Sequence, residues 1–341
     1  MFIPSLGQAA PERLTCDELD EVNALVYESI EQERFTPLAR SLFYAYLAEC
    51  QKDFAWQSHL KSGSFVGTFV PISLGVLRLF DPDANIEELD DKPIDPYSEA
   101  LAHEILTKAS ERLERERQGI EKAPTRKDEG LWHPQGEAFG LNFASRLPWH
   151  LENLQELRSP IPNLSSKELN RQVEAVIKAM GALSRTKLVA IDYWAHQGDW
   201  RMIAEKYMRS HSIPIEIRLN VRALLYTALS DAEGAVFDSK YTYWAPRPHQ
   251  VDPLIAPVLE APNYPRYPSA HSALGKTAAL ILSHFFPKNR KQWEKMAEDS
   301  GLSRISAGLN FPIDHTQGKK LGESVAQAAL KGKTLKSSRS R

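Results

Sequence analysis

The sequence predicts an all-α protein built from helical bundles. Apolar residues recur at spacings of three and four over most of the chain, alternating strand patterns are scarce, and proline-rich connections separate the helical stretches. No internal repeat of fixed period is visible. The 341 residues are 42% apolar and 25% charged, which is ordinary for a soluble globular chain.

The apolar spacing locates the helices one by one. In the first, Leu19, Val22 and Val26 fall on one helical face. The third opens with Asp and Pro and carries many charge pairs four residues apart. The full set is predicted over residues 17–35, 37–56, 95–120, 165–183, 185–208, 214–244, 269–286 and 318–330.

One apolar run, Ser64 to Phe80, does not fit this pattern. It is 17 residues long and contains Gly67, Pro71 and Gly75, which interrupt a helix. The length is marginal for a membrane span. We expect a buried core segment or a loop.

Proline-rich connections over residues 120–140, 157–166 and 251–268 suggest the domain organisation. We expect an N-terminal helical region over 1–160, a helical bundle over 161–332 and a basic flexible tail over 333–341. One continuous domain over 1–332 fits the sequence equally well.

Composition excludes several classes of function. The formal net charge of -2 gives no reason to expect a nucleic-acid partner. The start of the chain lacks the pattern of a signal peptide, and no series of apolar spans is present, so we expect a cytoplasmic protein that is not membrane-embedded. Cys16 and Cys50 lie in no metal-binding pattern; a reduced compartment is expected, although the two could pair. A homo-oligomer is allowed.

Three clusters in the C-terminal third carry the chemistry. They are "KYTYWAPRP" with Lys240 and Arg247, "YPSAHS" with Ser269, Ala270 and His271, and "SRISAGLNFPID" with Arg304, Asn310 and Asp314. Lysine and arginine supply permanent charge, and the arginine fork fits tetrahedral oxyanions. The clusters therefore predict an anion site.

The middle cluster adds a helix start to these charges. Pro268 precedes a helical pattern, so the Ser269 hydroxyl and nearby amide N–H groups suit an oxyanion. His271 in the first turn can give or take a proton. Pro312 can likewise begin a helix, which places Asn310 just before it and Asp314 in its first turn.

Taken together, the clusters resemble the signature of the vanadium-dependent haloperoxidase and type-2 phosphatidic acid phosphatase superfamily, which reads K-x6-RP, PSGH and SR-x5-H-x3-D. The resemblance implies an all-α fold with one oxyanion site for vanadate, in halide oxidation by peroxide, or for a phosphate ester. It implies that Lys240, Arg247 and Arg304 neutralise the oxyanion. Ser269 and the amide of Ala270 would donate hydrogen bonds to it.

The same resemblance implies that His271 is the acid/base and that Asp314 orients the last motif residue. Two positions depart from the signature. Ala270 replaces a glycine but keeps its N–H. Asn310 replaces the histidine that attacks phosphorus in the phosphatases or bonds vanadium in the haloperoxidases, and an amide does neither well. Vanadate is thus expected only as a weakened ligand.

Three other histidines are candidates for a functional role. His315 follows Asp314, so on a helix it would point elsewhere. His249, after Arg247 and Pro248, is more readily a loop residue. His196 could line a pocket, although packing on a helix face is the simpler expectation.

Three hypotheses follow for the function. The first is a divergent enzyme, either an oxidoreductase or a phosphoric ester hydrolase by ancestry, acting on a small anionic substrate without the usual histidine. The second is a catalytically inactive oxyanion-binding pseudoenzyme. The third is a structural protein with a relic site, which the retention of three cations and His271 argues against.

Overall fold

A computed structural model describes residues 12–31, 35–118, 126, 128–162 and 165–337, and it confirms the all-α prediction. The helices are α1 Cys16–Glu31, α2 Pro37–Ser62, α3 Val70–Phe80, α4 Glu87–Asp90, α5 Pro96–Gln118, α6 Ser166–Gly181, α7 Arg185–His196, α8 Trp200–Ser210, α9 Ile215–Tyr243, α10 Pro248–Val251, α11 Ala270–Phe285, α12 Arg290–Ser306 and α13 Pro312–Ser337. In these described ranges, β pairing is confined to one isolated bridge between Arg13 and Val66.

The chain forms two compact units. The first comprises the described residues up to Gln118 together with His211–Thr227. Its helices α1, α2, α3 and α5 bury their apolar faces against one another, with Leu19 and Val22 wholly buried. A buried amide, Gln51, donates from Nε2 to Asn23 Oδ1 at 2.9 Å and to Ser73 Oγ at 2.8 Å. Both hydrogens of the Gln51 amide are therefore satisfied inside this core.

The second unit comprises residues 119–210 and 228–341, as far as they are described. Its core is α11, which packs against α12 on one side and α13 on the other. Small residues permit the close approach: a Cβ at Gly275 would lie 3.3 Å from Ala297 Cβ, and one at Gly322 would collide with the Ala273 carbonyl. This packing brings the start of α11, the end of α12 and the start of α13 together.

The division predicted near residue 160 falls inside the second unit. Residues before that point pack with the C-terminal helices: the Trp132 N–H donates to Trp244 O at 2.7 Å, and the Tyr267 hydroxyl donates to Ser159 O at 2.9 Å. The predicted tail over 333–341 begins within α13, and residues 338–341 lie outside the described part.

Three elements differ from the sequence-based expectation. The run from Ser64 to Phe80 contains the helix α3, because Pro71 occupies the first turn and Gly75 faces Leu106, where a Cβ would collide. The helix predicted over 185–208 is interrupted between α7 and α8. Helix α12 is absent from the predicted set, because its many charged residues obscure the apolar spacing of the buried Trp293 and Ala297.

Two further observations concern the membrane and the cysteines. Among the described helices, none combines the length and apolar character that crossing a bilayer requires. Cys16 and Cys50 are both free thiols, and Cys50 is buried. Burial raises the pKa of the Cys50 thiol well above its usual value, so this group stays protonated.

Candidate oxyanion site

Lys240 lies in the last turn of α9 and is buried. Its ammonium group donates to the carbonyls of Pro265 at 2.7 Å, Arg266 at 2.9 Å and Pro268 at 2.9 Å. These bonds use its three hydrogens to fasten the segment that leads into α11. Burial, and then the neighbouring Arg247, hold the pKa of Lys240 well below its usual value. A negative charge nearby would therefore strongly stabilise the protonated form of Lys240.

Arg247 is the second predicted cation and is also buried. Its Nη1 donates to Leu309 O at 3.1 Å, and its Nη2 donates to Tyr264 O at 2.8 Å. The Tyr264 ring lies beneath both charges, with its centroid 5.0 Å from Arg247 Cζ and 5.0 Å from Lys240 Nζ. One aromatic ring thus supports two cations.

Arg304 lies in the last turn of α12 and is 5% exposed. Its Nη2 donates to Ile191 O on α7 at 2.7 Å, and its Nε donates to Ser303 Oγ at 3.0 Å. Burial lowers the pKa of its guanidinium to about 10. The group stays charged near neutrality while lying inside the protein.

Ser269 is the N-cap of α11, and Ala270 begins the helix. The Ser269 N–H donates to Asp314 O at 3.1 Å, which ties this end of α11 to α13. The first amides of a helix have no carbonyl four residues back to bind. The Ala270 N–H is a group of this type, and it can donate to an oxyanion at the positive end of the helix dipole.

His271 lies in the first turn of α11. Its Nε2 is 2.9 Å from Trp194 O, and because a carbonyl can only accept, Nε2 carries the hydrogen and Nδ1 is the basic nitrogen. Burial lowers the pKa of His271 to about 3, and the charge on Arg304 adds to the shift. The hydrogen bond to Trp194 opposes this shift, while Lys240 and Arg247 lower the pKa further. The imidazole is therefore neutral near pH 7 and lies within the field of all three predicted cations.

Asn310 is the residue that the sequence predicts in place of the family histidine. Its Nδ2 donates to Arg266 O at 2.9 Å and to Asp314 Oδ2 at 3.1 Å, which uses both amide hydrogens. Asp314 is fully buried and also accepts from the Phe311 N–H at 2.8 Å. The structure therefore brings Asn310 and Asp314 into contact, at the spacing where the family has a histidine and an aspartate.

Sequence reasoning missed Arg266, which forms an ion pair with Asp314 and lies over the Phe311 ring at 4.7 Å. Its Nε donates to Pro246 O at 2.6 Å. Tyr264 was missed as well. Both lie in "NYPRYP", only a few residues before Ser269, and an arginine so close to a predicted anion site is the signal that could have identified the first of them.

The site has a large excess of positive charge. Four buried cations, Lys240, Arg247, Arg266 and Arg304, meet one buried carboxylate, Asp314, so the formal sum is four minus one, or +3. Burying uncompensated charge is costly. An oxyanion of two or three negative charges would balance most of this excess.

The residues of the site fit vanadate as an anion but not as a metal centre. The cations suit a tetrahedral oxyanion, but Asn310 offers no nitrogen lone pair for a bond to vanadium, and both of its amide hydrogens are engaged. In the described part of the chain, no three His, Cys, Asp or Glu side chains converge as a metal site. The donor set therefore fits an oxyanion held by charge and hydrogen bonds, and not a vanadium–imidazole centre.

The substitute histidines lie elsewhere. His315 points away from Asn310, as the helix geometry predicts, and contacts Ser272 and Glu298. His249 lines a separate cavity of about 270 Å³ with Trp132, His133, Gln135, Gln250, Glu260, Ala261, Pro262 and Asn263. The expectation that His196 packs on a helix face is wrong: its side chain is 63% exposed and faces Asp192 at 3.1 Å, because α7 ends there at the surface.

The chain is similar to known proteins in its C-terminal sequence and in its fold. Residues 220–335 match the PAP2 superfamily. Among solved structures, a bacterial vanadium-dependent iodoperoxidase superposes with a TM-score of 0.77 at 16% identity, covering 95% of this chain and 98% of its own. The holo form of a bacterial vanadium-dependent chloroperoxidase gives 0.71 at 12% identity, covering 94% and 98%. Comparison with curated proteins finds no match.

The structural likeness extends over nearly the whole chain, so the fold is that of the vanadium haloperoxidases. The sequence match is confined to the C-terminal third, where α9 to α13 lie. Residues 220–335, which contain every predicted residue of the site, are similar in sequence to the PAP2 superfamily.

Proposed function

We propose that this chain binds a phosphate-class oxyanion and hydrolyses a phosphate ester with water as the nucleophile. The observation that carries the proposal is the buried cluster with a formal excess of three positive charges at the N-terminus of α11. The superfamily contains phosphatases and haloperoxidases, which supports an enzyme of this general class. A cytoplasmic location and a small anionic substrate remain predictions of the sequence.

In this proposal Arg247 and Arg304, which keep unused N–H groups, bind the phosphoryl oxygens, and the charge of Lys240 helps to neutralise them. Lys240 also keeps the segment before α11 in place through its three carbonyl contacts. The Ala270 N–H and the Ser269 hydroxyl contribute hydrogen bonds at the helix N-terminus. Charge that develops on the phosphoryl oxygens in the transition state is stabilised by the same preorganised donors.

His271 is the proton-transfer group. A water oxygen forms a bond to phosphorus, the ester P–O bond breaks, and Nδ1 takes the proton of the water and then gives it to the leaving oxygen. The low pKa of the free imidazole makes it a weak base, and a bound dianion raises that pKa because it offsets the field of the cations. Asn310, held by Asp314, leaves no side chain to form a phosphoenzyme at that position.

The second candidate is an oxyanion-binding protein without turnover. The observation that favours it is Asn310, whose amide is fixed by two hydrogen bonds and cannot act as a nucleophile. Vanadate belongs to this candidate as a ligand held by the cations alone, and we derive no step through vanadium.

Two measurements test these proposals. Calorimetric titration with phosphate and with orthovanadate is expected to show saturable one-to-one binding. Arg304→Ala is expected to weaken it by about 1.5–3 kcal/mol, the scale of a charged hydrogen bond. The matched control is Arg290→Ala on the same helix, because Arg290 is exposed and pairs only with Glu294 in the described structure.

Hydrolysis of a chromogenic phosphate monoester then separates the two candidates. Turnover that His271→Gln abolishes supports the enzyme, and binding without turnover supports the pseudoenzyme. Absence of binding at millimolar concentrations of either ligand, or equal affinity in wild type and Arg304→Ala, would reject the oxyanion site itself.

A further inference from the structure

A second hydrogen-bonded chain starts at Ser269 and leads away from the cation cluster. Ser269 Oγ lies 2.9 Å from Ser272 Oγ, which lies 2.8 Å from His315 Nδ1. His315 Nε2 lies 3.1 Å from Glu298 Oε1. The four side chains come from three helices, α11, α12 and α13, and three of them play no part in the hydrolysis proposed above.

Two glycines make room for this chain. A Cβ at Gly301 would lie 2.6 Å from Ser272 Oγ and would collide with the His315 ring at Nδ1. A Cβ at Gly318 would lie 2.5 Å from Ser269 O. Ser272 is fully buried and His315 is 6% exposed, so the contacts are shielded from water.

The direction of the hydrogen bonds follows from the acceptor at the far end. A carboxylate accepts, so in neutral His315 the hydrogen is on Nε2 and Nδ1 accepts from the Ser272 hydroxyl. Ser272 Oγ, 2.9 Å from Ser269 Oγ, then accepts from the Ser269 hydroxyl, the reverse of the bond in which Ser272 donates to Ser269. In this state the Ser269 hydrogen points along the chain and is not available to an oxyanion.

Protonation of His315 reverses the chain. With a hydrogen on each ring nitrogen, Nδ1 donates to Ser272 Oγ, and the Ser272 hydroxyl turns to donate to Ser269 Oγ. The Ser269 hydroxyl is then free to donate to an oxyanion. A hydroxyl has only one hydrogen, so the two states exclude each other.

The other end of the chain opens to solvent. Glu298 lines a surface groove of about 360 Å³, and its side chain is 43% exposed. Lys319 Nζ binds Glu298 Oε2 at 2.9 Å. The other charged residues that line the groove are Lys276, Glu294, Lys320 and Glu323. Burial lowers the pKa of His315, and the hydrogen bond and charge of Glu298 oppose that shift. Protons can therefore reach His315 from the groove without crossing the cation cluster.

We propose that Ser272, His315 and Glu298 form a proton relay that sets the direction of the Ser269 hydroxyl and thereby couples oxyanion binding to the protonation of His315. The three are positioning residues, since only Ser269 would touch the anion. The inference rests on the proposed oxyanion site. Its sign is fixed: protonated His315 favours binding, so affinity falls as pH rises through the titration of His315.

Sulfate is the probe that tests the coupling, because it stays a dianion between about pH 5 and 8, where histidines titrate. Calorimetric affinity of the full-length protein is expected to fall by at least about fivefold over this range, a typical coupling between linked sites. Ser272→Ala should remove that part of the fall which passes through the relay. His271 also titrates beside the anion, and Ser272→Ala leaves it in place.

Ser283→Ala is the matched control, since Ser283 is on the same helix and its hydroxyl donates to Ala279 O. It should keep the wild-type pH profile. If sulfate binds and Ser272→Ala has the wild-type profile too, the relay is overturned while the oxyanion site stands. If wild type binds none of sulfate, phosphate and vanadate, the proposed function fails and the coupling fails with it.

A spectroscopic measurement on the ligand-free wild type gives an independent test. Nitrogen-15 NMR of the His315 ring, assigned by its loss in His315→Gln, should show the hydrogen on Nε2 when the ring is neutral. A neutral ring with its hydrogen on Nδ1 would overturn the relay whatever the binding data show, and this holds even if Ser272→Ala fails to fold.

Discussion

The middle and the end of α9 differ in how buried positive charge is compensated. In the middle, Glu233 accepts from Arg201 Nη2 at 3.2 Å, and Asp238 accepts from Arg158 at 2.5 and 2.7 Å. Each cation there meets its own carboxylate. Two residues after Asp238, Lys240 donates its three hydrogens to carbonyl oxygens.

The difference shows what kind of partner each region can accept. Carbonyl dipoles satisfy the hydrogens of a lysine but do not cancel its charge, so the field of the cation remains for another ligand. In the paired region the charge is cancelled within the chain, and an added anion would gain little. The same helix therefore carries a structural region and, at its end, a region suited to a removable anion.

The largest expected effect separates these two regions by stability. Glu233→Ala removes a buried carboxylate from Arg201 and leaves the weaker pair with Asp199, whose side chain is 42% exposed. The side chains of Glu233 and Arg201 are only 10% and 9% exposed. We expect the free energy of unfolding to fall by about 3–5 kcal/mol. Lys240→Met should cost less, because the loss of its hydrogen bonds is offset by relief of repulsion with Arg247. Urea unfolding measures both; equal losses would mean that the charge of Lys240 is already compensated.

The next effect adds the anion. At about 100 times its dissociation constant, phosphate should raise the free energy of unfolding by about 2.7 kcal/mol. Arg304→Ala should lose much of this gain. Arg158→Ala, in the paired region, should be less stable but keep the whole gain. The comparison fails if phosphate stabilises both variants equally.

Much of the fold and of the site could be predicted from local sequence. The helical spacing predicts the all-α class, and the cations and serine at fixed intervals predict where charge and helix starts meet. Helix α12 could not be predicted, because its sequence "RKQWEKMAEDSGLSRIS" is rich in charged residues. Its apolar side consists of few residues, such as Trp293 and Ala297. Short apolar stripes on charged helices are weak signals.

What could not be predicted depends on contacts between distant segments. Arg266 becomes part of the site only because α13 brings Asp314 to it. Ser272 and His315 are 43 positions apart, and neither local sequence predicts their contact. The helix periodicity could exclude His315 from the position of Asn310, but it could not say what His315 faces instead.

A smaller effect tests whether Asn310 is the sole missing part of the cluster. In Asn310→His, the introduced imidazole can donate to Asp314 in place of the Asn310 amide, which leaves its other nitrogen for the oxyanion. Vanadate affinity should rise at least about tenfold, or about 1.4 kcal/mol. Asn310→Gln keeps an amide and should give no gain. If neither variant gains affinity or phosphatase activity, the site has diverged at further positions.

The smallest effect, taken per pH unit, concerns His271. Its pKa is about 3 in the folded protein, against about 6.5 when unfolded, so between these values the unfolded chain binds a proton that the folded chain does not. Its contribution to stability is therefore present above about pH 6.5 and is lost as the pH falls, by at most about 1.4 kcal/mol per unit. His271→Gln should flatten this part of a pH series of urea unfolding. Saturating sulfate should also flatten it, because an anion beside the imidazole raises the folded pKa. A slope that sulfate leaves unchanged would mean that the anion does not lie near His271, and the uncompensated charge at the end of α9 would then need another explanation.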